Sequence, residues 1–475
     1  MNVTLRPLSR CALLALALAA LPACEAVITG CAGNPTAPGC EGVAGQGELT
    51  GTLGTSRTLR PETTYVLKGY VKVAAGATLT ILPGTRIVGD SLTPGSALFV
   101  LRGARLVAEG TADAPIVFTS QRAPGARRPG DWGGIVLIGR GIINRTAQTI
   151  LTEGPQDASQ NYAGGTDNGD DSGRLRYVRV EYAGYDVTGT GQELNSLSMY
   201  AVGRGTQLEN VQSLAGLDDS FEWWGGAVDG KYLLSVEAGD DHFDWTEGYQ
   251  GRNQFLIAFQ NQQLQPRPGT GSNSSDPRGF EGDGCDPAPG SGCTLAADTG
   301  STPLSNPTFG NFTLVGFRQI PPTEGNGMVL RRGTAGGFYN GVVVRWKGTG
   351  LNVRDAFTNR NRIAGRLEVK CMVFGDNGKN YDDETSTSFG KKSFFAADGH
   401  READGAAAGL FASLDPTSPD FTPAAGSLLA TGGCNVPNAR LTGYLYGWAT
   451  TTYVGATNPN GVNQWWLGWT SYATS

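Results

Sequence analysis

Two acidic and aromatic segments of this 475-residue chain repeat at a spacing of 22 residues. They are GLDDSFEWWGG, from Gly216 to Gly226, and AGDDHFDWTEG, from Ala238 to Gly248. A repeat of this length is typical of one coil of a β-solenoid, in which residues one period apart lie on neighbouring strands about 4.8 Å apart. The spacing therefore predicts vertical stacks of equivalent residues, including stacks of carboxylates.

The same strand pattern extends through most of the chain. Short runs of alternating apolar residues between glycine turns begin near Gly47, and regular coils can be traced from Arg174 to about Asp376. Amphipathic helical periodicity is nearly absent. We predict an all-β, single-stranded, right-handed parallel β-helix over residues 48–375. Residues 376–475 are expected to form terminal coils and an aromatic-rich C-terminal cap that covers the open edge of the last coil with Trp465, Trp466 and Trp469.

Composition argues against several classes of function. The chain has 71 glycines and a formal net charge of −6, which suits a turn-rich β-protein and gives no electrostatic reason to bind nucleic acid. His242 and His400 are the two histidines, and no CxxC motif occurs. This scarcity argues against a histidine-rich zinc or copper site and against a catalytic triad with a histidine base. No nucleotide or redox cofactor is expected.

The N-terminus predicts export and a lipid anchor. Residues 1–24 carry Arg6 and Arg10 before an apolar run that is too short to span a bilayer. Leu21 to Cys24 resembles the lipobox of bacterial lipoproteins, so Cys24 is expected to be acylated, with ordinary signal-peptide cleavage as the alternative. Residues 25–47 are rich in Ala, Gly and Pro and predict a flexible tether. We therefore expect a lipid-anchored protein of the bacterial cell envelope, at the outer membrane or cell surface.

Six cysteines follow the lipobox, and an even number in an exported chain predicts disulfides. Short spacing favours Cys31 with Cys40 and Cys285 with Cys293, which leaves Cys371 with Cys434.

The repeats place acidic residues in columns. The register is set by phenylalanines expected to point into the solenoid, namely Phe221, Phe243 and Phe280. Alternation along a strand turns the next residue of each coil outward, and these residues are Glu222, Asp244 and Glu281. Asp218 and Asp240 form a parallel column. A ligand groove on this side would be bordered by Trp224, Glu222, Asp244 and Glu281.

Carboxylates stacked about 5 Å apart repel by roughly 3 kcal/mol at an effective dielectric near 20, so the columns need relief. Solvation is one source, because the Asp-Asp pairs lie at turns. Calcium, a hard cation with about six to eight oxygen ligands, is a second. Its candidate ligands are Asp218, Asp219, Asp240, Asp241, Glu222 and Asp244. Catalysis is the third, with Asp219, Asp240 and Asp241 as the candidate residues.

The acidic pairs are similar to those of polygalacturonase-type hydrolases, in which aspartates on successive coils protonate the glycosidic oxygen and activate water. The resemblance would give these roles to Asp219, Asp240 and Asp241. The Gly-His-Gly and Arg-x-Lys segments of those enzymes do not occur, because this chain has Phe280-Glu281-Gly282 and Leu330-Arg331-Arg332. A calcium-dependent lyase with Arg331 or Arg332 as its base is the related alternative.

Longer motifs resemble a family of bacterial exported or cell-surface proteins with a right-handed parallel β-helix (pectin-lyase-like fold), many of them lipoproteins. The motifs are DDSFEWWGG, GDDHFDWTEG, SNPTFGNFTLVG, MVLRRGTAG and a closing GWT. The resemblance covers about residues 50–475 and implies a fold and a location, but no agreed activity. We predict a surface-displayed binding or structural module, in one version stabilised by calcium. Its partners would be the membrane, through the lipid, and a polysaccharide or another envelope protein. The alternative is a polysaccharide-degrading enzyme.

Overall fold

The computed structural model describes residues 45–285, 292–293, 301–317 and 325–475. The predicted export signal, the acylated Cys24, the Cys31–Cys40 disulfide and the tether up to residue 44 lie outside the described residues. Within them, 26 strands form one sheet whose pairings are parallel.

The strands before the first acidic repeat are β1 (Gly45–Leu53), β2 (Arg57–Leu59), β3 (Thr63–Val73), β4 (Thr78–Ile81), β5 (Arg86–Gly89), β6 (Ala97–Val100), β7 (Arg105–Glu109), β8 (Ile116–Ser120), β9 (Gly134–Ile138), β10 (Gly173–Glu181), β11 (Tyr185–Asp186), β12 (Glu193–Leu194), β13 (Leu197–Tyr200) and β14 (Gln207–Leu214). Those of the central coils are β15 (Phe221–Trp224), β16 (Asp229–Val236), β17 (Phe243–Thr246), β18 (Arg252–Phe259), β19 (Arg278–Asp283), β20 (Thr308–Val315), β21 (Asn326–Arg331), β22 (Gly336–Tyr339), β23 (Val342–Val344) and β24 (Thr349–Val353). The last are β25 (Leu367–Lys370), β26 (Val373–Gly375), β27 (Lys379–Tyr381), β28 (Arg401–Ala403), β29 (Phe411–Ser413) and β30 (Asp420–Pro423).

Helices are short and few in the described part of the chain. The α-helices are α1 (Ala356–Ile363) and α2 (Asn438–Leu441), and the 3-10 helices are Ala158–Gln160, Lys392–Phe394, Ala407–Leu410 and Leu428–Ala430. None of these described helices has the length and apolar character needed to span a bilayer.

Each coil contributes to three faces of a tube. Face 1 stacks β13, β15, β17, β19 and β21. The first halves of β14, β16, β18 and β20 form face 2, and their second halves form face 3. These four strands turn the corner between faces 2 and 3 at residues with positive φ, namely Asn210 (55°), Tyr232 (59°), Phe255 (64°) and Asn311 (53°). A left-handed backbone is uncommon outside glycine, so its recurrence at equivalent positions identifies a repeated corner. Connections between parallel strands are almost always right-handed, and the predicted right-handed parallel β-helix is confirmed.

The register predicted from the repeat is also confirmed. Phe221 pairs with Phe243, and Phe243 pairs with Phe280. The ring centroids of the two pairs lie 5.3 and 5.6 Å apart, and all three side chains are fully buried. Trp223 and Trp245, two residues further along their strands, point into the same core. The coils that carry the acidic residues are therefore built on aromatic stacks.

The C-terminal segment covers the side of the solenoid rather than the end of the last coil. On face 3 the residues that point out of the tube are apolar, like those that point into it. The outward residues of successive coils include Leu214, Val236, Phe259, Val315 and Val344. Strands that are apolar on both sides need cover on both sides. Trp465 and Trp466 pack on this outer surface. Trp469 packs beside Tyr177, far from the last coil, so the expected position of the cap was wrong.

Hydrogen bonds trace the path of this segment back along the tube. The side chain of Gln254 donates to the Ala449 carbonyl at 2.7 Å, and that of Gln212, two coils earlier, donates to the Ser471 carbonyl at 2.6 Å. Arg179, one coil earlier again, donates to the Trp469 carbonyl at 3.1 Å. The C-terminal segment thus spans several coils from the late end towards the early end.

One boundary differs from the sequence prediction. The first strand begins at Gly45, so residues 45–47 of the predicted tether belong to the solenoid. Parallel pairing continues to β28, within residues 376–475, where terminal coils were expected. Cys285 is bonded to Cys293 and Cys371 to Cys434, as predicted, with Cα atoms 5.7 and 6.1 Å apart. The second disulfide ties a late coil to the C-terminal segment.

Replacing the middle ring of the phenylalanine stack should destabilise the solenoid strongly. We expect Phe243→Ala to lower the free energy of unfolding by about 3–5 kcal/mol, because it leaves a cavity between two neighbouring coils. Denaturant unfolding followed by circular dichroism measures the change. Phe394→Ala is the control, since that side chain is 38% exposed and should cost less than about 1 kcal/mol. Equal losses in the two variants would contradict the stack.

Candidate functional site

The acidic residues of the two repeats meet where face 3 turns into face 1. Asp218, Asp219, Asp240 and Asp241 lie in the corner segments before β15 and β17. Glu222, Asp244 and Glu281 occupy paired positions on β15, β17 and β19, as predicted. Because the inner side of face 1 holds the phenylalanines, alternation places these three carboxylates on its outer side.

Five of the six predicted metal ligands come together in two overlapping groups. Carboxylate oxygens of Asp218, Asp219 and Asp240 lie within 4.8 Å of one another. Oxygens of Asp219, Glu222 and Asp244 also lie within 4.8 Å of one another, so Asp219 belongs to both groups. We call these five residues the acidic cluster.

The sixth predicted ligand, Asp241, has a different role. Its carboxylate lies 3.2 Å from Nη1 of Arg278, and its N–H donates to Oδ1 of Asp219 at 2.8 Å. The Asp241 carboxylate therefore pairs with Arg278, and the Asp241 backbone N–H orients the Asp219 carboxylate.

Asp219 and Glu222 are the buried members of the acidic cluster, whereas Asp218, Asp240 and Asp244 are partly exposed. Asp219 and Glu222 are each 6% exposed. Asn195 accepts a hydrogen bond from the Asp219 N–H at 3.0 Å, and its amide donates to the Glu222 carboxylate. On the other side, the insertion 261–277 closes over the corner, where the Ser274 N–H donates to the Gly239 carbonyl at 3.0 Å. Water therefore reaches Asp218, Asp240 and Asp244 in part, but it is largely excluded from Asp219 and Glu222.

Arginines compensate the neighbouring carboxylates but not the acidic cluster. Arg278 pairs with Asp241, Asp276 and Glu281, and Arg331 pairs with Glu281 and Asp283. Among the described residues, no lysine or arginine forms an ion pair with a member of the acidic cluster. In addition, Oδ1 of Asp240 and Oδ1 of Asp244 are buried without a hydrogen-bond partner.

This environment disfavours the ionised carboxylates. Burial raises the pKa of Asp218 and Asp219 well above their usual range, and neighbouring carboxylates raise it further. Burial likewise raises the pKa of Glu222, with Glu153 and Asp244 adding to the effect. For Asp240, burial raises the pKa to about 6 although Arg278 opposes the shift. Raised pKa values in neighbouring carboxylates favour the binding of protons or of a cation.

The four residues predicted to border a groove lie together, but two of them are buried, while Trp224 and Asp244 are partly exposed. Glu222 and Glu281 are 6% and 8% exposed. The Trp224 ring stacks on Tyr200, with centroids 5.3 Å apart. Two insertions flank β19 in the sequence. The insertion 261–277 precedes the strand and the segment 284–307 follows it, so the two are joined to opposite ends of β19.

Sequence reasoning missed several residues of this site. Glu153 and Glu193 raise the pKa of Asp218, and Asn195 binds both Asp219 and Glu222. Glu153 comes from the irregular segment between β9 and β10. Glu193 and Asn195 come from the insertion between β10 and β13, which contains the antiparallel pair β11 and β12. Arg278, which opens β19, was also missed, although its position three residues before Glu281 was visible in the sequence.

The insertion that covers the acidic cluster is held by Glu237. Its Oε2 accepts the N–H groups of Asn261 and Gln262 at 3.2 and 3.0 Å. Glu237 is 3% exposed, and burial raises its pKa to about 8 although these hydrogen bonds oppose the shift. The folded protein therefore holds a proton on Glu237 over a pH range in which the unfolded chain has lost it.

This proton makes a testable contribution to the pH dependence of stability. Between about pH 4.5 and 8 the folded state binds more protons than the unfolded state, so the contribution of Glu237 falls as pH rises. In Glu237→Gln the amide oxygen keeps the two hydrogen bonds without titrating. We expect the variant to match wild type near pH 4.5 and to exceed it by at least about 1 kcal/mol at pH 8.5. Denaturant unfolding at both pH values measures this, with exposed Glu109→Gln as the control. A constant difference between Glu237→Gln and wild type would contradict the assignment.

Comparison with known proteins agrees with the architecture. The sequence model of the family described as "Pectate-lyase like beta helix domain" matches residues 51–413, well over half of the chain. Among solved structures, the crystal structure of pectate lyase Pel9A aligns at 14% identity and a TM-score of 0.34, covering 84% of this chain and 88% of that one. No curated protein matches. The chain belongs to the pectate-lyase-like β-helix domain family.

Proposed function

We propose that this protein is a β-helical binding or structural module of the bacterial cell envelope whose acidic cluster binds calcium. The observation that carries the proposal is the set of five clustered carboxylates, two of them buried and three partly exposed, with no cationic side chain among the described residues paired to them. A bound divalent cation would replace the missing counter-charge, and it would fix the corner segments of two successive coils to each other.

The donor set suits calcium. Every candidate ligand atom is an oxygen, and calcium takes about six to eight oxygens from carboxylates, carbonyls and waters. The acidic cluster offers ten carboxylate oxygens from five residues. Its formal charge of −5 exceeds what one Ca²⁺ neutralises, and Asp219 belongs to both groups. We therefore infer one or two ions, the second sharing Asp219 with the first.

Removing one shared ligand should weaken calcium binding and remove its effect on stability. Asp219→Asn keeps the oxygen that accepts the Asp241 N–H and removes one charge from both groups. We expect calcium to raise the melting temperature of wild type and a chelator to reverse this. We expect Asp219→Asn to bind calcium at least about tenfold more weakly, a loss of ~1.4 kcal/mol. Titration calorimetry and thermal unfolding give the two readouts.

The matched control is Asp113→Asn, which alters an exposed carboxylate in a turn remote from the acidic cluster and should behave as wild type. A melting temperature that neither calcium nor chelator changes, together with no calcium signal in calorimetry, would overturn the proposal. Equal weakening by Asp113→Asn and Asp219→Asn would show that calcium binds non-specifically to the acidic surface.

The location at the envelope rests on the N-terminal sequence. We propose that Cys24 carries a lipid and that residues after it tether the β-helix to the membrane, at the outer membrane or cell surface, where a polysaccharide or another envelope protein is its partner. In a bacterial host the full chain should partition with membranes and incorporate labelled palmitate. Cys24→Ser should abolish both. Unchanged partitioning and labelling would exclude acylation at this residue.

The alternative is a polysaccharide-degrading enzyme, and the geometry favours it less. Of the three candidate residues of the hydrolase hypothesis, Asp219 and Asp241 are 6% and 2% exposed, and Asp240 is partly exposed. For a lyase, Arg331 would have to lose a proton. Burial alone would lower the pKa of Arg331, but Asp283 and Glu281 outweigh it and hold that pKa above its usual range. Cleavage products from uronic-acid or neutral polysaccharides, lost in Asp240→Asn, would favour the enzyme instead.

A further inference from the structure

A cavity lies on face 2, on a different side of the tube from the acidic cluster. Its volume is about 620 Å³, which falls in the range of about 300–1,000 Å³ that small-molecule sites occupy. Face 2 and helix α2 form its walls, and its guanidinium groups belong to Arg204, Arg252, Arg366 and Arg440. We propose that this cavity binds a small polar ligand through a phosphate or carboxylate group.

Two of the four arginines form a fixed frame. Arg252 binds Asp229 through two nitrogens, with distances of 3.0 and 3.1 Å, and its third nitrogen donates to the Thr442 carbonyl. Arg440 lies 2.8 Å from Glu368 and donates to Asn306 at 3.0 Å. Because their donors are used within the protein, these two side chains shape the cavity and keep its charges in place.

The other two arginines retain free donors. Arg366 donates from Nε to Asn361 at 2.9 Å, and its two terminal nitrogens have no hydrogen-bond partner among the described residues. Arg204 makes one long hydrogen bond, from Nη2 to the Gln250 carbonyl at 3.4 Å. Its Nε is buried, lies 3.7 Å from Asp229 and has no hydrogen-bond partner. A buried N–H donor without an acceptor costs free energy that a ligand oxygen would recover.

The charge balance of the cavity favours a ligand with negative charge. The four arginines face two carboxylates, Asp229 and Glu368, which leaves an excess of two positive charges in the cavity. Burial lowers the pKa of Arg204, Asp229 opposes this, and the neighbouring Arg252 lowers it further. An anion placed between Arg204 and Arg366 would offset that repulsion. The planar fork of a guanidinium matches the paired oxygens of carboxylate and phosphate groups.

This site is independent of the proposed calcium site. The cavity contains no member of the acidic cluster, and an anion site needs the opposite charge. Failure of calcium binding would therefore leave this proposal intact, and the reverse also holds.

The experiment measures binding of three probes, inorganic phosphate, glucose 6-phosphate and glucuronate, to the purified protein by titration calorimetry at low ionic strength. We expect saturable binding of at least one probe with a Kd below about 1 mM. Arg204→Gln and Arg366→Gln should each weaken it by about tenfold or more, and Arg366→Lys should restore part of the loss, because the charge remains without the fork. Added salt should weaken binding in wild type.

Arg174→Gln is the matched control, because this exposed arginine occupies the same row of face 2 as Asp229, two coils earlier, outside the cavity. Binding of phosphate and glucose 6-phosphate but not glucuronate assigns the site to phosphate groups, and the reverse result assigns it to carboxylates. Circular dichroism and melting temperature confirm that each variant is folded. Absence of saturable binding by all three probes overturns the proposal. Binding that Arg366→Gln leaves unchanged, or that Arg174→Gln weakens equally, also overturns it.

Discussion

The vertical register between successive coils is the constraint on which the rest of the molecule depends. Parallel hydrogen bonding places each residue of one coil directly above its counterpart in the next, so Phe221, Phe243 and Phe280 are stacked inside the tube. The same register stacks Glu222, Asp244 and Glu281 outside it. One set of backbone hydrogen bonds therefore fixes both the stack of phenylalanines inside the tube and the stack of mutually repelling carboxylates outside it. The aromatic interior of these coils offsets the cost of the acidic exterior.

Electrostatics divides the outer surface of face 1 and its corner into two parts. Near β19, Arg278 and Arg331 neutralise their acidic neighbours within the protein. At β15 and β17 no such partner exists among the described residues, and the cover over Asp219 and Glu222 excludes water that would otherwise solvate them. On face 2 the excess charge is positive, and Arg204 and Arg366 have N–H groups without a hydrogen-bond partner among the described residues. One scaffold therefore carries carboxylates without a paired cation at one corner and guanidinium donors without a partner among the described residues on a different face.

The repeated features were predictable from the sequence because a solenoid converts spacing into contact. The 22-residue lag was sufficient to predict the stacking of Phe221 on Phe243 and the pairing of Glu222 with Asp244. The cover over the acidic cluster was not predictable, since it comes from Asn195 and from the insertion 261–277, which have no period. The position of Trp465 and Trp466 was missed for a related reason. The outward residues of face 3, such as Val236 and Phe259, are apolar, but sequence alone does not indicate which distant segment covers them.

The path of the C-terminal segment changes how the tube should respond to stress. In a simple solenoid each coil touches only its two neighbours, so coils at one end can open while the other end stays intact. Here a single segment is attached to a late coil by Cys371–Cys434 and contacts Gln254, Gln212 and Arg179 on coils progressively further away. The segment links these coils along the length of the tube. Unfolding of one central coil would therefore disturb the packing of every other coil that the segment contacts. Fraying from the late end is thereby coupled to the integrity of the middle.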